Sequence, residues 1–230
     1  MPSPPLKLLS SMATREVLSA LAARHQNRTG CEVQLESAGG VDVARRVAAG
    51  EPVDVVVLAA KAIDELIRAG RLLADSRIDI VRSGIAIAVR AGAAVPDISS
   101  EAAVKQAVLA ASTISYSTGP SGVYLVGLFE RWGIYAQIQS RIVQAPPGVP
   151  VGSLVARGEV ALGFQQLSEL MHLPGIVVVG PMPPEIQSIT TFSGAVSTGS
   201  ADVAAARGLL AQMVAPDAAD AIRRQGMEPA

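Results

Sequence analysis

The chain has 230 residues, 50% of them apolar, enough to bury a substantial core as one domain or two small lobes. Nineteen Lys and Arg nearly cancel twenty Asp and Glu, leaving a formal net charge of −1, and no basic run marks a nucleic-acid surface. Aromatic residues make up only 3%, which argues against stacking platforms for bases or sugars, so a bound molecule is expected to be held by backbone amides and hydroxyls. Cys31 is the single cysteine, so no intrachain disulfide can form, and His25 and His172 have no ligand spacing to it or to each other. No metal and no cofactor is expected. The first residues, Met-Pro-Ser-Pro-Pro-Leu-Lys, lack the charged and apolar regions (about 7–15 residues for the latter) of a secretory leader. A cytoplasmic location is expected as the sequence stands, and a periplasmic one if a leader has been removed. No apolar run approaches the roughly 20 residues that span a bilayer, so no membrane insertion is expected.

In chain order, residues 6–10 read as a strand and 14–25 as a helix with Val17, Leu18, Leu21 and Ala22 on one face. Residues 32–36 alternate like a strand, 41–49 are helical up to Gly50 and Pro52, and 53–58 form a valine run typical of a strand covered on both faces. A helix over 61–69 closes at Gly70, so three β-α units predict a parallel, doubly wound sheet. Residues 78–90 then make a strand longer than the usual 5–6 or so, as expected where the chain leaves one lobe for another. The rhythm restarts with helix 99–111, strand 113–115, helix 121–133, strand 141–144, helix 151–157, strand 160–164, helix 167–171 and strand 176–179. After a proline-rich turn at 181–184, residues 189–197 read as a second crossing strand, and helices 201–214 and 217–225 finish the chain. The expectation is an α/β chain of two lobes, each a mostly parallel sheet flanked by helices and joined by two crossing strands. Residues 1–82 plus 190–230 form the first, and 83–189 the second, with a ligand cleft between them.

Several strand-to-helix turns carry glycine or hydroxyl residues, where unpaired helix N–H groups and the helix dipole favour an anion. They are Ser10-Ser11 after the first strand; Ser37, Gly39 and Gly40 after the second; and Ser117-Thr118-Gly119-Pro120-Ser121-Gly122 before the helix from 121. The last resembles a nest for an oxyanion or carboxylate and fits neither a Walker loop nor GxGxxG. Val149, just before Pro150, and Gln165, at a strand end, are further candidates through a backbone and a side-chain amide. Each of these residues would also serve as an ordinary cap or turn.

The serines near the start, Ser37-Ala-Gly-Gly, and the Gly50, Pro52 and Asp54 stretch leading into a valine strand resemble the molybdate-binding proteins of ABC importers. The likeness continues through Gly119-Pro-Ser-Gly and the Gly158-Glu-Val-Ala-Leu-Gly strand. It implies a type II periplasmic-binding-protein fold, an anionic ligand (a molybdate-type oxyanion or a di- or tricarboxylate), and an ABC permease as partner if the protein is exported. By that likeness Ser11 or Ser10 and a residue among 37–40 face the ligand from one lobe; Ser121 or Gly122, the Val149 amide and Gln165 face it from the other. Two departures stand out: Gln165 lies where molybdate binders carry a tyrosine, and the second motif ends in Gly-Gly. A related branch resembling these binders, the aconitate isomerases, moves a double bond in a small tricarboxylate. That reaction needs a base poised near neutrality, for which Glu36 and Tyr124 are candidates, with Arg82 and Arg90 as carboxylate partners. Binding is the first expectation and isomerisation the alternative.

Overall fold

The computed structural model describes residues 4–146 and 148–230, so the reading of the chain start lies in part outside the described residues. Two compact units divide them: one runs to Ser83 and resumes at Thr190–Ala230, the other is Gly84–Ile189.

In the first unit, β1 (Leu6–Ser11) is followed by α1 (Arg15–Thr29), β2 (Val33–Ala38), α2 (Gly40–Ala48), β3 (Val55–Ala59), α3 (Ala60–Arg68) and the first part of β4 (Ile78–Arg90). β1 pairs in parallel with β2 and β3, in a register that sets Ser10 opposite Ser37 and Val57. Alternation then sorts the strand residues between two cores. Leu8, Val55 and Val57 join Val17, Leu18 and Leu21 of α1, while Leu9, Val56 and Leu58 join Val43, Val47, Ile63 and Leu66 of α2 and α3. Burial on both faces is why these strands read as near-continuous apolar runs.

The second unit takes the rest of β4, then α4 (Glu101–Ala110), β5 (Ile114–Tyr116), α5 (Pro120–Arg131), α6 (Tyr135–Ile138), α7 (Val151–Ala156), β6 (Leu162–Gln166), α8 (Leu167–Leu170) and β7 (Ile176–Pro181). Ile85, Ile87, Val104, Leu125, Phe129 and Phe164 form its main core, where Phe129 meets Phe164 edge-on with centroids 6.2 Å apart. The chain then returns through β8 (Ile189–Val196), α9 (Val203–Met213), α10 (Ala219–Arg224) and the two-residue β9 (Glu228–Pro229).

The expected mostly parallel sheets are only partly found. β8 runs antiparallel to β3, and β9 antiparallel to β4. In the second unit β6 and β7 both run antiparallel to β4, leaving β5 and β6 as the parallel pair. A strand buried on both faces is apolar throughout whichever way its neighbour runs, so the valine-rich patterns did not distinguish the two. The strand expected at 141–144 is absent: Ile142 makes an isolated bridge to Ile114, and Val143 and Ala145 donate alternate hydrogen bonds to Ile114 and Tyr116. The preceding Arg141 sits in a 3-10 turn, its guanidinium donating to the carbonyls of Leu109 and Ala111 at 2.9 and 2.6 Å.

One side chain imitates a strand. Gln187 Oε1 accepts from the N–H of Ile85 at 2.8 Å, and its Nε2 donates to the Ile85 carbonyl at 3.0 Å. Both backbone groups of Ile85, the β4 register partner of Gln166 on β6, thus bond to one side chain, and the carbonyl also accepts from the N–H of Met182 at 3.0 Å.

Candidate functional site

Parallel pairing of β1, β2 and β3 brings the turns after these strands to one edge of the first unit's sheet. Ser10 is fully buried, its Oγ 2.8 Å from Ser37 Oγ and 3.3 Å from the carbonyl of Ser11. Ser11 precedes a 3-10 turn, with its Oγ 3.4 Å from Thr14 Oγ1, and is also buried. Gly39 is the N-cap of α2 and Gly40 its first residue, so the N–H groups of the opening turn have no partner within the helix. A side-chain carbon on Gly40 would stand 3.6 Å from the Ser11 Cβ, which shows how closely this helix end backs onto the serine. Ser10, Ser11, Ser37, Gly39 and Gly40 are thus neighbours in space. Asp42, in the same helix turn, forms an ion pair with Arg45.

In the second unit, Tyr116 on β5 is the register partner of Phe164 on β6. The residues that follow them, Ser117 and Gln165, therefore stand at one level of one sheet edge. Ser117 Oγ lies 3.5 Å from Ser121 Oγ and accepts from the N–H of Gly119 at 3.3 Å. Ser121 and Gly122 are buried in the opening turn of α5. A Cβ on Gly122 would fall 1.8 Å from the carbonyl oxygen of Ser117, so the turn closes only around glycine. The Val149 N–H, expected as a ligand donor, is instead taken by the carbonyl of Pro146 at 3.0 Å, which closes a local turn.

Gln165 is 1% exposed and held at both ends of its amide. Its Oε1 accepts from the N–H of Gly152 at 3.4 Å and its Nε2 donates to Glu169 Oε1 at 2.7 Å. Glu169, in α8, is half-buried, yet loss of hydration around its carboxylate pushes its pKa up to about 7, against a smaller lowering by the Gln165 hydrogen bond. Sequence reasoning passed over Glu169 because a lone glutamate in a short helix reads as a solvated face; the glutamine four residues earlier at a strand end was the available signal.

The bases named from sequence have other attachments. Glu36 is exposed and ion-paired with Arg46 at 2.6 Å. The Tyr124 hydroxyl donates to the carbonyl of Ile186 at 2.9 Å. Arg82 and Arg90 are exposed, and Arg82 donates to the Pro229 carbonyl at 3.0 Å. Among the described residues no three His, Cys, Asp or Glu side chains converge as a metal cradle, and no helix is long and apolar enough to cross a membrane.

Solved structures share this architecture. The periplasmic molybdate-binding protein of Azotobacter vinelandii aligns with a TM-score of 0.80 and 22% identity over 96% of this chain and 98% of its own. The sulfate-binding protein of Mycobacterium tuberculosis aligns with a TM-score of 0.77 and 18% identity over 99% of this chain and 87% of its own. The fold is therefore α/β and of the periplasmic-binding-protein kind. A sequence profile of bacterial extracellular solute-binding proteins matches residues 6–228, and the chain belongs to that family. An aconitate isomerase from a Pseudomonas species is 40% identical over 97% of this chain and 87% of its own length. The resemblance to molybdate binders, and to their aconitate-isomerase branch, is borne out.

Proposed function

We propose that this protein is an isomerase that shifts the double bond of aconitate. The observation that carries this reading is the 40% identity to the Pseudomonas aconitate isomerase across nearly the whole chain. It reverses the order of expectations drawn from sequence, in which anion binding without turnover came first. The donor sets fit a carboxylate ligand. The hydroxyls and N–H groups at Ser11, Ser37 and Gly40 in the first unit, and at Ser117, Ser121 and Gly122 in the second, can each hold a carboxylate oxygen. No cofactor is required, because the reaction moves a proton and a double bond within one molecule.

The second reading, binding and delivery of an oxyanion, is favoured by membership of the solute-binding family and by the fold shared with molybdate- and sulfate-binding proteins. One experiment separates the two. The protein is incubated with trans-aconitate while the cis isomer is followed by proton NMR, beside a thermal-shift panel of molybdate, tungstate, sulfate and the aconitates. Conversion with stabilisation by aconitate supports the isomerase. No conversion, with stabilisation by molybdate or sulfate alone, overturns it in favour of an oxyanion receptor.

A further inference from the structure

We propose that Glu169 carries the proton in the double-bond shift, and that Gln165 positions it. The assignment rests on the isomerase reading and adds the acid–base residue which that reading lacks. Three observations converge on this carboxylate. It stands on the helix that directly follows β6, beside the strand end where Gln165 and Ser117 stand at one level of the sheet edge. It is half-buried, so it keeps a face from which to reach a ligand. Its Oε1 is fixed by Gln165 at 2.7 Å, and Gln165 is itself immobilised by burial and by the N–H of Gly152.

The electrostatic setting suits proton transfer in both directions. α8 packs against β6 and α7, whose residues include no other titratable side chain, and its leucines meet Ala86 and Ala88 of β4 and Ile176 and Val178 of β7. β4 carries Asp79, Arg82 and Arg90 outside that contact, and His172 lies just beyond α8. Among the described residues no Lys or Arg forms an ion pair with it, and loss of hydration raises its pKa to about 7, so a group half-ionised near pH 7 serves as base and then as acid. The carboxylate of Glu169 takes a proton from the methylene carbon beside a substrate carboxylate. The released C–H electron pair becomes the new C=C bond, and the old π pair takes the proton back from Glu169 at the far carbon. One C–H bond is broken and one made, with no electrons gained or lost.

The test uses the full-length protein with trans-aconitate in deuterated water. Wild type is expected to interconvert the isomers and to exchange the methylene hydrogens. Glu169→Gln should lower kcat by about 10³-fold or more while trans-aconitate still raises its Tm. Gln165→Met should lower kcat with little change in KM, and should move the ascending limb of kcat/KM to higher pH, because the lost hydrogen bond favoured the ionised form. Glu169→Gln activity within threefold of wild type, beside an active wild type, overturns this assignment alone. An inactive wild type overturns the isomerase reading with it. If Glu169→Gln no longer binds, Glu169→Asp decides: an unmoved pH limb makes Glu169 a structural residue and overturns the proposal, whereas a displaced limb supports it.

Discussion

The hydroxyl oxygens of Ser10 and Ser37 lie 2.8 Å apart across a rung of parallel strand pairing, with Ser10 fully buried and Ser37 only partly so. Ser10 thus orients the hydroxyl that reaches the turn. Ser37→Ala is expected to weaken aconitate binding at least about tenfold, roughly 1.4 kcal/mol, with little change in Tm. Ser10→Ala should cost about 1 kcal/mol of stability, because a hydrogen bond in the core is lost, and should reduce affinity less. Calorimetric titration and thermal melting of the two variants check the order.

Gly122 meets the Ser117 carbonyl so closely that even a methyl group forces the turn open. Gly122→Ala should therefore abolish measurable aconitate binding, and cost about 1–3 kcal/mol as the turn and the start of α5 shift. Gly127, in the middle of the same helix, has open space around it, so Gly127→Ala should leave binding intact and raise Tm slightly. Equal loss of binding in both variants would contradict this account of the turn.

Glu169 ties stability to pH in a direction unusual for a carboxylate. Its pKa rises from an ordinary 4.5 in the unfolded chain to about 7 in the fold. Below pH 4.5 it is neutral in both states and carries no penalty; as pH climbs to 7 the unfolded chain ionises first, and folding stability falls. The shift is worth up to about 3 kcal/mol above pH 7. Glu169→Gln should thus be close to wild type near pH 4.5 and increasingly more stable toward pH 8, as read from denaturant midpoints across that range.

Gln187 satisfies both backbone groups of Ile85 with one side chain. Gln187→Leu preserves approximate size but leaves the buried Ile85 N–H unpaired, while its carbonyl keeps the Met182 N–H, so a loss of about 1–3 kcal/mol is expected. Gln187→Glu keeps an acceptor for the Ile85 N–H but, when ionised, sets an oxygen against the Ile85 and Met182 carbonyls, so it should recover more stability at low pH, where a protonated carboxyl donates to them. Urea melts at pH 5 and pH 8 distinguish the two variants.

Much of the fold was legible because it follows from local pattern. β4 is read from sequence with the boundaries it has in the structure, 78–90, since thirteen residues rich in isoleucine and valine admit few other readings. Strand direction was not legible, because the partners of β4 are fixed by chain crossings far away in sequence. At the candidate site, the serines and glycines of the strand-end turns announced themselves by type. Glu169 did not, since its altered acidity comes from the packing of α7 and β6 around α8. The Val149 N–H, read from sequence as a ligand donor, is held by the carbonyl of Pro146 three residues back, a local turn that residue types alone did not announce.

The three turns present neutral hydroxyls and peptide dipoles through Ser10, Ser11, Ser37, Gly40, Ser117, Ser121 and Gly122, with no arginine or lysine among these residues. Counter-ions in solution compete poorly with dipoles fixed in the backbone, and mobile salt screens them less than it screens exposed charges. Affinity for a multiply charged guest held at these turns would then change little between dilute buffer and high ionic strength.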